Sequence, residues 1–443
     1  MEMPFSLFMF LMLAVLLVIN VPVAFALLMT SVTFALILWG WFGLDIIFNA
    51  FWNVMNNFAL TSLVPFVFMA ALLQECGIVE DMYKALNVWI GKYRGSLLVI
   101  SLLLGYAIGA MSGVVAAGVV TLGLLIYPMM RKYGYPSLIS LSTIIFAGSL
   151  PQIVPPSLNM IIYGVTTGVS IGKLFAGGIA VGALMTIIYM VYALAWTFLN
   201  KGEIQVIPIE EIPLKEKILI LRYFIGPILI ILSALGTIFA GIATPTEAAG
   251  MAAFVTMLYT IALKRLNLER LKKSLAFTVK VVVMVEWIVA SAYAFTAIFT
   301  GGGGRAYLTN LMLSLPNAQL TVLVLSLTLV AFLGCFLDTA AIITIIAPLM
   351  DPVIRLLGYN PTWYGIIFNT VLLTGFLTPP VGLALYYIKG MYPDIAWEDI
   401  MRASIPGVAA VLLSALLSII FPEIPMSIVR LLTGSALYLN KVN

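Results

Sequence analysis

The chain has 443 residues, of which 63% are apolar and 9% charged; its net charge is +4, and it contains two cysteines and no histidine. Soluble domains carry roughly 25% charged residues, so this composition excludes an ordinary soluble domain and indicates an all-α polytopic membrane protein. Without histidine there is no Ser-His-Asp hydrolase and no Cys/His metal cluster, and the small, scattered positive charge offers no nucleic-acid surface.

Each spanning helix needs about 20 apolar residues, so roughly ten crossings fit. The N-terminal MEMPFSLFMFLML carries Glu2 and no Lys or Arg, unlike the basic start of a cleaved signal. Residues 5–39 read as retained membrane helix, interrupted near Asn20 and Pro22. Further apolar helices are expected at 52–74, 96–128 (interrupted), 137–170 (interrupted), 174–199, 219–241, 245–263, 278–299, 319–350 (interrupted), 362–388 (interrupted) and 404–421. QECGIVEDMYKALNVWIGKYRG (74–95) is too charged to span and reads as an amphipathic helix along the interface. LPNAQL (315–320) and the tail after Phe421 read as punctuation. Cys76 and Cys335 stand in apolar contexts that suit free thiols.

Basic residues orient these segments. Lys84, Lys92 and Arg94 form one group, Lys201, Lys215, Lys217 and Arg222 a second, and Lys264, Arg265, Arg270, Lys272 and Lys273 a third. All three fall on the cytoplasmic side if 96–128 enters and returns as a hairpin.

The chain repeats itself. YPMMRKYGYP (127–136) aligns with DPVIRLLGYN (351–360) at an offset of 224, which also places Pro155 and Pro156 on Pro379 and Pro380 and Tyr163 on Tyr387. The crossings at 137–170, 174–199, 219–241, 245–263 and 278–299 lie between the two loops. Their odd number turns the second copy upside down, the inverted-repeat plan of secondary transporters. Each copy then has a hairpin tip, GAMSGVVAAG (109–118) or LGCFLDTAAI (333–342), and a broken helix, GSLPQIVPPS (148–157) or TGFLTPPVG (374–382). Irregular backbone at membrane depth must be buried in protein or line a polar cavity. Freed carbonyls and hydroxyls suit a hard cation such as Na⁺, and half-helix N-termini suit an anion.

This organisation divides the chain into 1–95 (N-terminal scaffold helices and interfacial arm), 96–199 (first transport repeat), 200–276 (central scaffold), 277–403 (second transport repeat) and 404–443 (C-terminal helix and tail). Asp338, an intramembrane carboxylate at a tip, has three open roles: Na⁺ ligand, proton carrier or helix cap. Glu286 is expected to make a structural hydrogen bond, Lys280 to reach the interface, and Glu247 to support a helix start. GGGGR (301–305) lacks the strand and GK[ST] of a phosphate loop and reads as a flexible hinge. An intramembrane enzyme would need a carboxylate pair or a Ser-Lys dyad; Asp338 and Asp351 do not make the former.

GYP, IVPPSLNMIIYGV, GIATPTEAAG, FLDTAAIITIIAPLMDPV and LTPPVGLALYY occur in this order along nearly the whole chain. They resemble the large membrane subunit of TRAP (tripartite ATP-independent periplasmic) transporters. The resemblance implies an elevator-type ion transporter in a bacterial or archaeal inner membrane. It implies a separate small four-helix membrane subunit, a periplasmic substrate-binding protein, an organic acid as substrate and Na⁺ as coupling ion, with no organic cofactor. A one-component carboxylate transporter of the same broad fold is the alternative.

Carried over by position, the first ion site would use Ser112, Gly113, Gly148, Ser149 and Pro155. The second would use Gly334, Asp338, Thr339, Thr374, Gly375 and Thr378. Substrate would lie near Gln152, Pro156, Ser157, Asn159, Pro380 and Gly382. This chain departs from the family pattern at Val114 and Val115 (commonly Ser-Ser), at Pro151 and Gln152 (commonly Gly-Pro) and at Ala384 (usually Asn).

Overall fold

The computed structural model describes residues 5–200, 204, 213–380 and 382–433. Glu2 and Lys201, used in the reading above, lie outside them. The described residues are helical, with no strand among them, as expected where every backbone polar group must be satisfied within hydrocarbon. Among the described residues seven helical segments are long and apolar enough to cross a membrane, or eight if one bent pair counts as a span.

The N-terminal part comprises α1 (Phe8–Val18), α2 (Val23–Trp39), α3 (Gly43–Met55), α4 (Leu63–Glu75) and α5 (Ile78–Ile90). Val23–Met55 is nearly continuous helix, yet it is not one straight rod. Gly40, at φ +62°, ends α2, and the chain turns so sharply that Gly43 rests on the carbonyl of Ala35. The helix expected at 52–74 is therefore two elements. Asn57 breaks it, its Oδ1 accepting from the Ala59 amide at 3.0 Å, the local turn Asn makes in competition with helix.

α4 and α5 meet at 60°. Gly77 supplies the left-handed residue of this elbow, with φ +67°. The Arg265 Nη1 donates to the carbonyls of Cys76 (3.2 Å) and Gly77 (3.0 Å) and lies 2.6 Å from Asp81 Oδ2, whose side chain is only 6% exposed. The hydrogen bond to Asp81 holds the guanidinium above its ordinary pKa. Arg265 thus covers the end of α4 and the first turn of α5 at once, tying the amphipathic arm to the loop that begins at Leu263.

Next come α6 (Ser96–Ser112), α7 (Val115–Lys132), α8 (Ser137–Ser149), α9 (Leu158–Thr167) and α10 (Ile171–Leu199). The central part holds α11 (Leu214–Ile220), α12 (Ile225–Ile231), α13 (Thr237–Phe239) and α14 (Pro245–Ala262), with a π-helical stretch at Leu232–Gly236. The Thr244 hydroxyl accepts from the Glu247 amide while the Glu247 carboxylate accepts from the Thr244 amide at 2.8 Å. This is a capping box, the structural role expected of Glu247.

α15 (Leu268–Gly301) is longer than the expected 278–299 because Asn267 caps it, accepting from the Arg270 amide at 2.8 Å. It draws part of the basic cluster into helix. GGGGR is mostly helical: only Gly302 and Gly303 form a turn before α16 (Gly304–Leu313), Gly303 is left-handed at φ +80°, and Gly304 packs against the Phe299 ring. Glu286 has no hydrogen-bond or ion-pair partner among the described residues, so the expected structural bond is not formed.

The second copy follows as α17 (Ala318–Gly334), α18 (Thr339–Leu356), α19 (Pro361–Leu372), α20 (Thr374–Leu377) and α21 (Leu383–Met391). Adding 224 to the bounds of α7, 115 and 132, gives those of α18, 339 and 356, and adding it to 137 gives the start of α19. α22 (Trp397–Ile420) and α23 (Glu423–Thr433) complete the chain. The segment after Phe421 is more than punctuation, since α23 packs on α10 and buries Met426 and Val429. Cys76 and Cys335 are both free.

Candidate functional site

Each broken helix stops for a local reason. α8 ends at Ser149, and a single 3₁₀ turn, Leu150–Gln152, follows before Pro155 and Pro156, whose nitrogens cannot donate. Ser157 then restarts the helix as the N-cap of α9, accepting from the Met160 amide at 3.3 Å while its hydroxyl donates to the Gln152 carbonyl. In the second copy α20 stops at Leu377, and Gly382, at φ +26°, opens α21. Its amide donates to the Thr378 carbonyl at 3.1 Å. Both Pro-Pro peptide bonds are cis.

The first set of residues comes together. Gly113, at φ +62°, lies directly against the Pro156 carbonyl, so the hairpin tip touches the break. Farther along, Gly118 rests on the Gly148 carbonyl, and a Cβ at Gly148 would lie 2.5 Å from Val119 Cα. Ser112 Oγ accepts from the Val114 amide at 3.4 Å, and Ser149 Oγ donates to the Ile145 carbonyl at 2.7 Å. Pro155 is buried in the same break. Val114 and Val115, where the family pattern has hydroxyls, are buried at the tip.

The second set is built alike. A Cβ at Gly334 would lie 3.1 Å from Gly375 Cα, and one at Gly375 would lie 2.5 Å from the Gly334 carbonyl oxygen. Asp338 is the N-cap of α18, its Oδ1 accepting from the Ala340 amide at 2.8 Å. Thr374 Oγ1 donates to the Val371 carbonyl at 2.7 Å, from the start of α20 back to the last turn of α19. Thr378 stands partly open at the break.

The candidate substrate residues divide. Asn159 joins the two copies, because the Thr339 hydroxyl donates to its Oδ1 at 3.2 Å. Gln152 is 2% exposed, and neither its Oε1 nor its Nε2 has a partner. An amide left unpaired at such depth costs roughly 1–3 kcal/mol. Pro380 and Gly382 stand on the second break, where the Pro380 carbonyl accepts from Tyr386 Oη at 3.0 Å.

Contacts between the copies are reciprocal. α9, beyond the first break, packs on α18, the return arm of the second hairpin; α21, beyond the second break, packs on α7, the return arm of the first. Tyr392 Oη donates to the Gly123 carbonyl at 3.0 Å at this second contact. The Thr339–Asn159 bond is not mirrored, since the register-equivalent positions are Val115 and Leu383. Sequence reasoning missed this cross-copy bond, which no spacing announces. It also passed over Gly105 and Gly109, whose small-xxx-small spacing was a visible signal of close helix approach. Gly105 packs on the Ala147 backbone, and a Cβ at Gly109 would lie 2.8 Å from Val154 Cβ. No group of three or more His, Cys, Asp or Glu side chains able to hold a metal occurs among the described residues.

Comparison with known proteins gives one answer. The family profile described as "Tripartite ATP-independent periplasmic transporter, DctM component" matches residues 10–424. The chain is 29% identical over 428 residues to the sialic acid TRAP transporter large permease protein SiaM of Vibrio cholerae, covering 94% of this chain and 96% of the relative. It is 28% identical over 409 residues to the 2,3-diketo-L-gulonate TRAP transporter large permease protein YiaN of Escherichia coli, covering 91% and 93%. Among solved structures it resembles the YdaH transporter of Alcanivorax borkumensis, described as having an unusual topology. The TM-score is 0.66 at 16% identity, over 95% of this chain and 99% of the other. At that identity the likeness shows the fold alone.

Proposed function

The chain belongs to the DctM component family of tripartite ATP-independent periplasmic transporters, and from that premise we propose that it imports an organic acid coupled to Na⁺ by an elevator movement. The family assignment makes it a multi-pass inner-membrane transporter subunit rather than an enzyme. Large permeases of this family work with a small permease and a periplasmic binding protein. For this chain we take the small permease to be a separate four-helix subunit.

The observation that carries the Na⁺ reading is the meeting of each hairpin tip with the break of its own copy: Gly113 with Pro156, and Gly334 with Gly375. Such meetings gather carbonyl and hydroxyl oxygens where the helix ladder is interrupted, the hard-donor environment that coordinates Na⁺ in broken-helix transporters. Ser112, Gly148, Ser149 and Pro155 would serve the first ion, and Asp338, Thr339, Thr374 and Thr378 the second. The organic acid would lie near Ser157 and Asn159, with Gln152 selecting among acids and Pro380 and Gly382 on the far side. The N-terminus of α9 offers free amides to a carboxylate. Relatives named for sialic acid and for 2,3-diketo-L-gulonate support an acid as the class.

The test is uptake in proteoliposomes holding both membrane subunits, with the partner binding protein loaded outside. An imposed Na⁺ gradient should drive accumulation and an equal H⁺ gradient should not. Equal uptake under both would reject the coupling.

A further inference from the structure

We propose that the groove between α22 and the second break holds one aminophospholipid of the phosphatidylethanolamine type. The groove has a volume of about 580 Å³, with Thr378 and Pro379 on one wall. The other wall is one broad face of α22, whose open edge carries Glu398, Arg402, Ile405, Ala409 and Leu412 beside Met401, Ser404 and Val408. These positions recur at the three- and four-residue spacing that keeps side chains on one helix face.

This edge is graded as a lipid is. Ile405 is 63% and Leu412 47% exposed, and no charged residue occurs from 403 to 420. The water–hydrocarbon boundary therefore falls near Arg402. From Arg402 to Leu412 an α-helix rises about 15 Å, which is half of a hydrocarbon core about 30 Å thick. The apolar part of the groove is thus one leaflet deep, the reach of one acyl chain.

The polar end specifies the headgroup. Arg402 and Glu398 are exposed, one helical turn apart, and neither has an ion-pair or hydrogen-bond partner among the described residues. Arg402 stands at the boundary and Glu398 about 6 Å farther toward water. A phosphate at Arg402 with an ammonium beyond it at Glu398 satisfies both charges in that order. Phosphatidylglycerol would place hydroxyls beside Glu398, and the quaternary ammonium of phosphatidylcholine has no N–H to donate to it.

The groove shares Thr378 with the proposed second ion site, and the lipid inference is tested by binding alone. The full chain in detergent, stripped of lipid, would be offered phosphatidylethanolamine, phosphatidylcholine or phosphatidylglycerol, and bound lipid counted by native mass spectrometry. Phosphatidylethanolamine should be retained best. Arg402→Gln should lower retention of all three by about tenfold, the scale of one lost charge-assisted hydrogen bond. Glu398→Gln should abolish only the preference for phosphatidylethanolamine. Ala409→Phe, which fills the groove and leaves both charges, should lower retention of every lipid and keeps the test valid if a charge variant fails to fold. Equal retention of the three lipids, or unchanged retention in Arg402→Gln and Ala409→Phe, would overturn the proposal.

Discussion

The hydroxyl of Thr339 donates to Oδ1 of Asn159 at 3.2 Å across 180 residues of chain. One residue opens the return arm of the second hairpin, and the other lies in the first turn of the half-helix beyond the first break. Both are buried, so the bond joins the two copies where each is interrupted.

Coupling between these residues is measurable. Thr339→Val and Asn159→Leu should each lower the thermal midpoint, and the double variant should lose no more than the larger single loss. The interaction term is expected near 1 kcal/mol, the usual worth of one buried hydrogen bond. Strict additivity in the cycle would show that the bond carries no stability.

Two left-handed glycines separate a backbone requirement from a steric one. Gly113 and Gly168 have φ of +62° and +73°, but Gly113 abuts the Pro156 carbonyl whereas nothing lies within 4 Å of a Cβ at Gly168. Gly168→Ala should cost about 1 kcal/mol. Gly113→Ala should add a clash with backbone of roughly 1–3 kcal/mol and abolish uptake. Equal melting of the two variants would mean that the tip can withdraw from the break.

Asp338 can be dissected by charge. Asn is as good an N-cap as Asp, whereas Ala costs about 1 kcal/mol. Asp338→Asn should therefore keep the melting temperature, and Asp338→Ala should lower it. If the carboxylate also binds Na⁺, both variants will raise the Na⁺ concentration that gives half-maximal uptake. An unaltered Na⁺ dependence in Asp338→Asn would leave the residue as a cap only.

Gln152 should trade stability for function. Replacing it by Met, of similar length, removes two unpaired buried polar atoms and should stabilise the chain by about 1 kcal/mol. Uptake is expected to fall in the same variant, because residues that cost stability are retained mainly at functional sites. A Met variant that is more stable and fully active would remove Gln152 from the site.

The elbow at Gly77 depends on one ion pair. Arg265→Ala leaves the buried Asp81 carboxylate with only the exposed Lys84 ammonium, 3.6 Å from its Oδ1, and the loss is expected at about 2 kcal/mol, reduced from the fully buried case because Arg265 is partly exposed and Lys84 remains. Limited proteolysis near Gly77 should accelerate in this variant. The Asp81→Leu/Arg265→Leu double variant should be restored toward the parent, since no lone charge remains.

Much of this was legible in the sequence because double prolines and left-handed glycines interrupt helices through their own covalent geometry. Pro155, Pro156, Pro379 and Pro380 marked both breaks, and the register between the copies held to the residue at α7 and α18. Apolar runs were less informative about where helices end. The run at 52–74 concealed a turn, because Asn56 and Asn57 weigh little in mean hydropathy yet bond to neighbouring backbone. At Gly301–Gly304 four glycines suggest looseness, whereas the packing of Gly304 on Phe299 and of Gly302 on Ser6 needs residues without a side chain. The Thr339–Asn159 pair was invisible because its members come from different copies and share no spacing. Glu286 was given a partner that the fold does not supply.

The reciprocal packing of α9 on α18 and α21 on α7 has a mechanical consequence. Neither half-helix beyond a break is a free lever, because its support is the other copy's hairpin. An ion drawing one tip and break together would shift a surface on which the opposite break rests. If ions bind at the proposed sites, occupancy at the two ends would be registered by a single interlocked body, and a half-filled transporter would be mechanically different from both the empty and the full one.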